Sequence, residues 1–210
     1  MQIFHSRKIR RTRGFTLVEM LISLSIFAVV TAMSVANFRA GAQGDELRVS
    51  ARLVASTIRR VQTQAIAGSS VFFCHGGTDE GKMCLTGEDV GCDGGSCTKD
   101  IPDSWGVRIT SLEGENRNLI VFADTDGDRR FDEGEAVRSE AISPGPFVSI
   151  VSVDPADAGT LDIVFTPPKP RTSLNGAVID GIATIVLQHQ HTGTQMSVTV
   201  NRVSGLVAVE

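Results

Sequence analysis

The stretch that decides the fold is GFTLVEMLISLSIFAVV at residues 14–30, which opens a long apolar segment close to the N-terminus. No charged residue occurs between Met20 and Phe38. Counted from Phe15, the segment has 24 residues. A helix of that length is about 36 Å long, which is enough to cross the roughly 30 Å apolar core of a bilayer. The sequence therefore predicts a membrane-spanning helix over residues 15–38.

A basic leader precedes the apolar segment. Residues 1–14 contain five basic side chains and no acidic one: Arg7, Lys8, Arg10, Arg11 and Arg13. The rest of the chain carries 24 acidic against 15 basic side chains, a net charge of −9. Because basic flanks stay on the cytoplasmic side of a membrane, we expect a single-pass inner-membrane protein with its C-terminal part in the periplasm. The acidic remainder disfavours nucleic acid as a partner, since both are negatively charged.

A single acid, Glu19, lies inside the apolar segment. A carboxylate at the centre of a membrane helix costs about 2.5–3.5 kcal/mol on insertion scales, so it needs a partner or a purpose. Two general interpretations of the segment leave Glu19 unexplained. One is a cleaved signal peptide, with Ser34-Val35-Ala36 as the small-residue cleavage site, and the other is a permanent single-span anchor.

Gly14, Phe15 and Glu19, together with the basic leader, resemble the N-terminal signature of type IV pilins and of the pseudopilins of type II secretion systems. The resemblance implies that a prepilin peptidase cuts after Gly14 and that the new N-terminus at Phe15 is N-methylated. It also implies that Glu19 guides assembly with other pilin or pseudopilin subunits. Cleavage leaves a positive amine on Phe15. We expect this amine to pair with Glu19 of a neighbouring subunit, because each charge alone is costly among apolar helices.

A second helical segment is predicted over residues 39–68. Gly41 and Gly44 interrupt the first helix, and Asp45 is a suitable N-cap for the next one. Apolar side chains then recur every three or four residues: Leu47, Ala51, Val54, Ile58, Val61 and Ala65. A stripe of this kind predicts an amphipathic helix packed on a sheet. The arginines beside the stripe are expected to face solvent: Arg48, Arg52, Arg59 and Arg60.

From residue 69 to residue 210 the pattern changes to short apolar runs separated by Gly and Pro. Eight runs predict strands: Val71–Cys74, Gly106–Thr110, Leu119–Ala123, Val148–Val153, Thr160–Phe165, Ala183–Gln188, Met196–Val200 and Leu206–Val209. The fold class is therefore α+β, with a long, partly transmembrane N-terminal helix packed on an antiparallel, pilin-like β domain.

The order of these features resembles the GspH/FimT group of minor pseudopilins and pilins. The shared features are an Arg-rich helix, a cysteine-bearing strand at Val71–Cys74, a Trp-Gly strand at Ser104-Trp105-Gly106, an acidic hairpin loop and a terminal strand pair around Asn201–Gly205. The resemblance implies a structural subunit of a type II secretion pseudopilus, which serves protein secretion, or of a type IV pilus. The alternative is a membrane-anchored periplasmic module that binds calcium or another ligand and does not polymerise.

All four cysteines, Cys74, Cys84, Cys92 and Cys97, lie in an insert over residues 74–97. Their spacing does not match the paired knuckles of structural zinc sites. A periplasmic location favours two disulfides, which would order this Gly-rich segment. Three pairings are open. Sequential pairing of Cys74 with Cys84 and of Cys92 with Cys97 is preferred because it closes short loops.

The acidic stretch at residues 124–135 matches the twelve-residue EF-hand calcium loop at most ligand positions. The matching residues are Asp124, Asp126, Asp128, Arg130 through its carbonyl, Asp132 and Glu135. Two features depart from the EF-hand: Arg129 replaces the Gly of position 6, and the flanking residues predict strands instead of helices. No cofactor is required by the sequence. Ca²⁺ binding is one alternative, and a solvated acidic hairpin, partly neutralised by its own arginines, is the other.

Catalytic motifs give no support for an enzyme. The sequence contains no nucleophile elbow, phosphate-binding Gly loop or metalloprotease helix, so we expect no enzyme activity. His189 and His191 lie two residues apart on a predicted strand and share a face, which would suit a metal. No third ligand is evident from the sequence, and exposed polar strand residues are the more common explanation of such a pair.

Overall fold

The computed structural model describes residues 15–84, 92–167, 171–177 and 181–210, and for residues 36–42 and 171 it describes the backbone alone. The predicted leader, residues 1–14 with the cleavage residue Gly14, lies outside the described residues. The chain forms two compact units, Met1–Ala42 and Gln43–Glu210.

One helix, α1, runs from Leu17 to Ile66. Asp45 lies inside α1, so the predicted N-cap of a separate helix at this residue is wrong. A glycine inside a helix costs only about 1 kcal/mol relative to alanine, which is too little to end a helix whose later turns are held by packing. The boundary between the two compact units nevertheless falls between Ala42 and Gln43, within the segment where the interruption is predicted.

The unit Gln43–Glu210 contains the end of α1 and the strands, and it has the predicted α+β fold. The strands are β1 (Val71–His75), β2 (Ser96–Asp100), β3 (Ser104–Thr110), β4 (Asn118–Asp124), β5 (Ala136–Ala141), β6 (Val148–Asp154), β7 (Thr160–Thr166), β8 (Arg171–Leu174), β9 (Ile182–His189), β10 (Gln195–Asn201) and β11 (Val207–Val209). All eight predicted strands are confirmed to within two residues at each end.

Three strands go beyond the eight predicted ones. β2 and β8 are short and largely polar, so neither shows a clear apolar alternation. β5 was expected only as a strand-forming flank of the acidic loop, and its residues are half-exposed or exposed because it is an edge strand. These three strands are specified by their hydrogen-bonded neighbours more than by their own side chains.

The strands form three antiparallel sheets within the described residues. Their orders are β1-β2, β11-β10-β9-β6 and β5-β4-β3-β7-β8. Gly106 of β3 lies opposite Phe122 of β4, and a Cβ at Gly106 would come within 2.2 Å of the Phe122 ring. The Trp-Gly sequence thus leaves room for a buried aromatic ring on the neighbouring strand.

A single hydrophobic core joins the helix to both larger sheets. The predicted stripe is confirmed, since each of its six residues is at most 1% exposed: Leu47, Ala51, Val54, Ile58, Val61 and Ala65. The four arginines beside it are exposed, as expected. Two of them also reach the sheets, because Arg59 donates to the Val207 carbonyl and Arg60 pairs with Glu140.

Two disulfides hold the insert, and their pairing is Cys74–Cys92 and Cys84–Cys97. The predicted sequential pairing is therefore wrong. The reason is the path of the chain, which turns back after β1 so that the Cys84 N–H donates to the Phe72 carbonyl. In this register Cys84 lies beside the start of β1, and the Cys74 N–H donates to the Lys82 carbonyl, so the pairing follows the path of the backbone and not the length of the closed loops.

Candidate functional site

The acidic loop over residues 124–135 joins β4 to β5, so its flanks are strands as predicted. The carboxylate oxygens of Asp124, Asp126 and Glu135 lie within 4.8 Å of one another. The carboxylates of Asp126, Asp128 and Asp132 form a second such group. The five predicted carboxylate ligands are thus brought together by the fold, with Asp126 common to both groups.

The loop adopts a sharp turn although an arginine replaces the glycine of position 6. Arg129 has a φ of 64°, which is the left-handed conformation that this position requires in a calcium loop. Backbone N–H groups of the turn point at the acids: Gly127 donates to Asp124 at 2.8 Å and Asp128 donates to Asp126 at 3.0 Å. The departure at Arg129 therefore does not prevent the turn.

Two of the acids in this loop are buried. Asp124 is 0% exposed and Glu135 is 4% exposed. Burial raises the pKa of Asp124, although hydrogen bonds from Ser104, Gly127 and Arg129 act in the opposite direction. Burial likewise raises the pKa of Glu135 against hydrogen bonds from Thr125 and Asp132. The loop thus holds two carboxyl groups away from solvent, whereas Asp126, Asp128 and Asp132 are exposed.

In one of the two alternatives for this loop, its own arginines neutralise part of the charge. Arg130 instead forms an ion pair with Asp157, outside the loop, at 3.1 Å. Its backbone N–H bonds within the loop, because it donates to the Asp128 carboxylate at 2.7 Å. The guanidinium of Arg130 therefore links the loop to the turn before β7.

A buried anchor holds the loop on the sheet. The Phe131 ring packs edge-on against Phe122, with centroids 5.5 Å apart, and faces the Arg108 guanidinium at 4.6 Å. Arg108 in turn makes a two-pronged ion pair with Asp162, at 2.8 and 2.9 Å. This arrangement fixes the middle of the acidic loop independently of any cation.

The disulfide-bonded insert borders the same loop. Thr125 donates its hydroxyl to the Gly81 carbonyl at 3.1 Å, and the Met83 N–H donates to the Gly134 carbonyl at 2.9 Å. An open pocket between the two segments is lined by residues 80–82 of the insert and by acidic-loop residues that include Glu135. No pattern in the sequence indicates that these two segments meet.

The apolar segment of α1 is the second candidate site. Within the described residues, Leu17–Val35 is the one stretch of helix long and apolar enough to cross a membrane. Every side chain from Phe15 to Val35 is exposed in the isolated chain. An exposed apolar surface of this extent calls for lipid or neighbouring apolar helices around it.

Thr16 caps the start of α1. The Glu19 N–H donates to the Thr16 hydroxyl at 3.2 Å, which is half of the reciprocal capping pattern that Thr-x-x-Glu predicts. The acid also lies in the first turn, where the helix dipole favours negative charge. Thr16 was not singled out from the sequence, although its spacing from Glu19 is a known signal for a helix start.

The other polar groups of this segment are satisfied within the helix. The hydroxyls of Ser23, Ser25, Thr31 and Ser34 each donate to a carbonyl three or four residues earlier, at 2.7–2.9 Å. Glu19 is the only charged residue between Phe15 and Phe38. Its carboxylate is therefore the group in this segment that most needs a partner from outside the chain.

Comparison with known proteins decides what this segment is. Residues 9–35 match the prokaryotic N-terminal methylation motif. This stretch is a type IV pilin-like prepilin signal, and it supports a protein of the type IV pilin or pseudopilin type. The motif implies processing by a prepilin peptidase and assembly with other pilin subunits, and the apolar helix fits a membrane anchor. No curated protein and no solved structure matches the chain.

The prepilin signal contains the three residues singled out from the sequence. Phe15 and Glu19 lie at the start of the exposed apolar helix, and Gly14 precedes the described residues. The acidic loop and the cystine insert belong to the other compact unit. The structure thus brings the candidate residues into two separate groups: one for processing and assembly, and one that could hold a cation.

Proposed function

We propose that this chain is a minor pilin or pseudopilin of the GspH/FimT group. It is a structural subunit of a type II secretion pseudopilus, serving protein secretion, or of a type IV pilus, and it catalyses no reaction itself. The single observation that carries the proposal is the methylation motif at residues 9–35, which opens an exposed apolar helix with one acid near its start. The genes that neighbour the gene of this chain distinguish the two filaments, because a type II secretion system and a type IV pilus have different assembly ATPases and outer-membrane partners.

The proposed mechanism uses charges that processing creates. Cleavage after Gly14 leaves an ammonium group on Phe15, and methylation at nitrogen keeps that charge. Glu19 lies four residues further along, in the first turn of α1. When subunits pack their apolar helices together, the ammonium of one subunit and the Glu19 carboxylate of the next compensate each other's desolvation. The pair therefore acts as a registry device that sets the axial step between subunits.

The proposed location follows the same reasoning. The basic leader remains in the cytoplasm, the helix crosses the inner membrane once, and the β domain faces the periplasm. The two disulfides of the insert support this placement, since disulfides persist in oxidising compartments. In that position the β domain contacts other minor subunits or cargo, while the helix holds the subunit in the filament.

Mass spectrometry of the mature N-terminus tests the proposal. We expect a chain that begins at Phe15 and carries one added methyl group. A chain with an intact leader would support the alternative, a membrane-anchored module that does not polymerise. A chain that begins at Asn37 would indicate a signal peptide and a secreted β domain, and either result would contradict the filament role.

We further propose that the acidic loop binds one Ca²⁺ ion as a structural element. The observation in its favour is the convergence of the Asp124, Asp126 and Glu135 carboxylates within 4.8 Å. Oxygen ligands of this kind suit a hard divalent cation, which would relieve their mutual repulsion. Because Phe131 already anchors the loop, the cation would stiffen a formed hairpin without creating it.

Calcium is expected to raise the melting temperature of the protein. At a free concentration one hundred times the dissociation constant, the stabilisation is about 2.7 kcal/mol, or roughly 5–10 °C for a domain of this size. The Asp126→Asn variant should lose most of this shift, because Asp126 belongs to both carboxylate groups. The exposed Glu113→Gln variant removes one charge elsewhere and should keep it. No shift at millimolar Ca²⁺ would refute calcium binding.

A further inference from the structure

His189 is a buried group that the proposed filament role does not use. It ends β9 and is only 1% exposed, so the expectation of an exposed strand residue is wrong. Neither ring nitrogen has a hydrogen-bond partner among the described residues. Leaving a polar group buried without a partner destabilises the folded state. A buried imidazole of this kind therefore calls for a ligand or a charge close by.

Glu46 of α1 supplies a carboxylate beside this ring. Its Oε2 atom lies 3.6 Å from the Nε2 atom of His189. The other oxygen, Oε1, accepts a hydrogen bond from the Ser143 hydroxyl at 3.3 Å, and that hydroxyl accepts one from the Gly145 N–H at 3.2 Å. A Cβ at Gly145 would come within 2.4 Å of Oε1, so the Glu46 carboxylate lies directly against this glycine. These contacts hold Glu46 with one oxygen directed at His189.

His191 provides a third group at the same place. It is exposed in the turn after β9, and its ring centroid lies 5.9 Å from that of His189. Both rings border Phe147, which stacks on His191 at 4.4 Å. The Gln190 N–H donates to the Phe147 carbonyl at 2.8 Å, which fixes the peptide between the two histidines. The turn thus holds two imidazoles close to each other and to a single aromatic ring.

We propose that His189, His191 and Glu46 form a binding site for one transition-metal ion, for which Zn²⁺ is the natural probe. Two imidazoles and a carboxylate are a ligand set that zinc commonly takes, with water in the fourth position. Ligand atoms bound tetrahedrally at about 2.0–2.1 Å from zinc lie about 3.3–3.4 Å apart. The separation of 3.6 Å between His189 Nε2 and Glu46 Oε2 is close to this value. Among the described residues, the ligand atoms of these three side chains do not all lie within 4.8 Å of one another, so the exposed His191 ring has to turn from Phe147 toward the ion to complete the site.

The consequence of binding is a link between distant parts of the fold. Glu46 belongs to α1, whereas both histidines belong to the end of β9 and the turn that follows it. The hydrogen bond from the Ser143 hydroxyl to Glu46, with the Gly145 N–H donating to that hydroxyl, acts as the outer shell that orients a metal-binding carboxylate. The ion would therefore tie the helix to the β9–β10 turn, and it would do so whether or not the chain enters a filament.

Zn²⁺ titration of the untagged full-length chain in detergent tests this site. We expect one ion per chain by calorimetry, and Co²⁺ should give the absorption band of a four-coordinate complex. Glu46→Gln and His191→Ala should each weaken binding at least about tenfold. Both positions retain solvent access, so these variants should fold more readily than a substitution of the buried His189.

Two matched controls separate this site from other groups. His75→Ala removes an exposed histidine of β1 and should leave Zn²⁺ binding unchanged, as should Asp126→Asn in the acidic loop. Absence of Zn²⁺ binding by the parent chain would overturn the proposal. It would also be overturned if Glu46→Gln lowered the melting temperature equally with and without Zn²⁺, because Glu46 would then act only through a direct contact with His189.

Discussion

Replacing Glu19 with alanine is expected to leave cleavage after Gly14 intact and to abolish incorporation into filaments. The peptidase acts at the leader, whereas the carboxylate is needed when the apolar helices come together. Breaking one partner of a buried ion pair costs about 3–5 kcal/mol, which corresponds to more than about a hundredfold loss in the incorporation equilibrium. The measurement is the amount of processed subunit in the sheared filament fraction against the amount left in the membrane.

Ser23→Ala is the matched control for this variant. Ser23 lies one turn after Glu19 and donates its hydroxyl only to the Glu19 carbonyl among the described contacts, at 2.7 Å. Removing that hydroxyl changes polarity on the same helix without removing a charge, so the Ser23 variant should assemble normally. Normal incorporation of the Glu19→Ala subunit would contradict the registry role.

Removing either disulfide is expected to destabilise the domain by about 3 kcal/mol. The closed loops span 18 residues for Cys74–Cys92 and 13 for Cys84–Cys97, and loops of this length are worth about that much in chain entropy. For a unit of this size the change corresponds to a fall of roughly 6–12 °C in melting temperature. The double-serine variant of each bonded pair, compared with the parent by thermal unfolding, gives the measurement.

A third variant tests the pairing itself. In the double-serine variant at Cys74 and Cys92, the remaining cysteines keep their bond and no free thiol should be found under denaturing conditions. In the double-serine variant at Cys74 and Cys84, each remaining cysteine has lost its partner, so two free thiols are expected. A single intact disulfide in that second variant, with a loss of stability no larger than that of the first, would restore the sequential pairing.

The fold was predictable where apolar spacing carries the information. Leu47 to Ala65 follow the helical period, and all six stripe residues are buried as predicted. Alternating runs likewise identified the eight main strands, because one face of each of these strands enters the core. β2 escaped prediction because its side chains are almost all exposed, and its place is set by pairing with β1.

The disulfide pairing could not be predicted for a different reason. Loop length favours the nearest cysteines, but the observed pairing depends on how the chain turns back along β1. That path is set by backbone hydrogen bonds such as the one from the Cys84 N–H to the Phe72 carbonyl. Such bonds cannot be predicted from the types of the residues that make them. The number of disulfides was therefore accessible from the sequence, while their connectivity was not.

The candidate sites also have some features that could be predicted from the sequence and others that could not. The acidic loop could be predicted because its residues are contiguous in the sequence. The prepilin signal could be predicted because the spacing of its residues is specific. The left-handed turn at Arg129 was not readable, since that conformation normally selects glycine. Glu46 was also missed as a neighbour of the histidines, because a contact between α1 and a hairpin turn comes from packing and leaves no local pattern.

Hydrogen bonds between the insert and the acidic loop couple the loop to the redox state of the cysteines. Gly81 and Met83, which bond to Thr125 and Gly134, lie on the segment that the two cystines hold in place. We therefore expect reduction of the cystines to loosen this outer support of the acidic turn. The turn would keep its own backbone hydrogen bonds, the ion pair of Arg130 with Asp157 and the packing of Phe131 on Phe122 and Arg108.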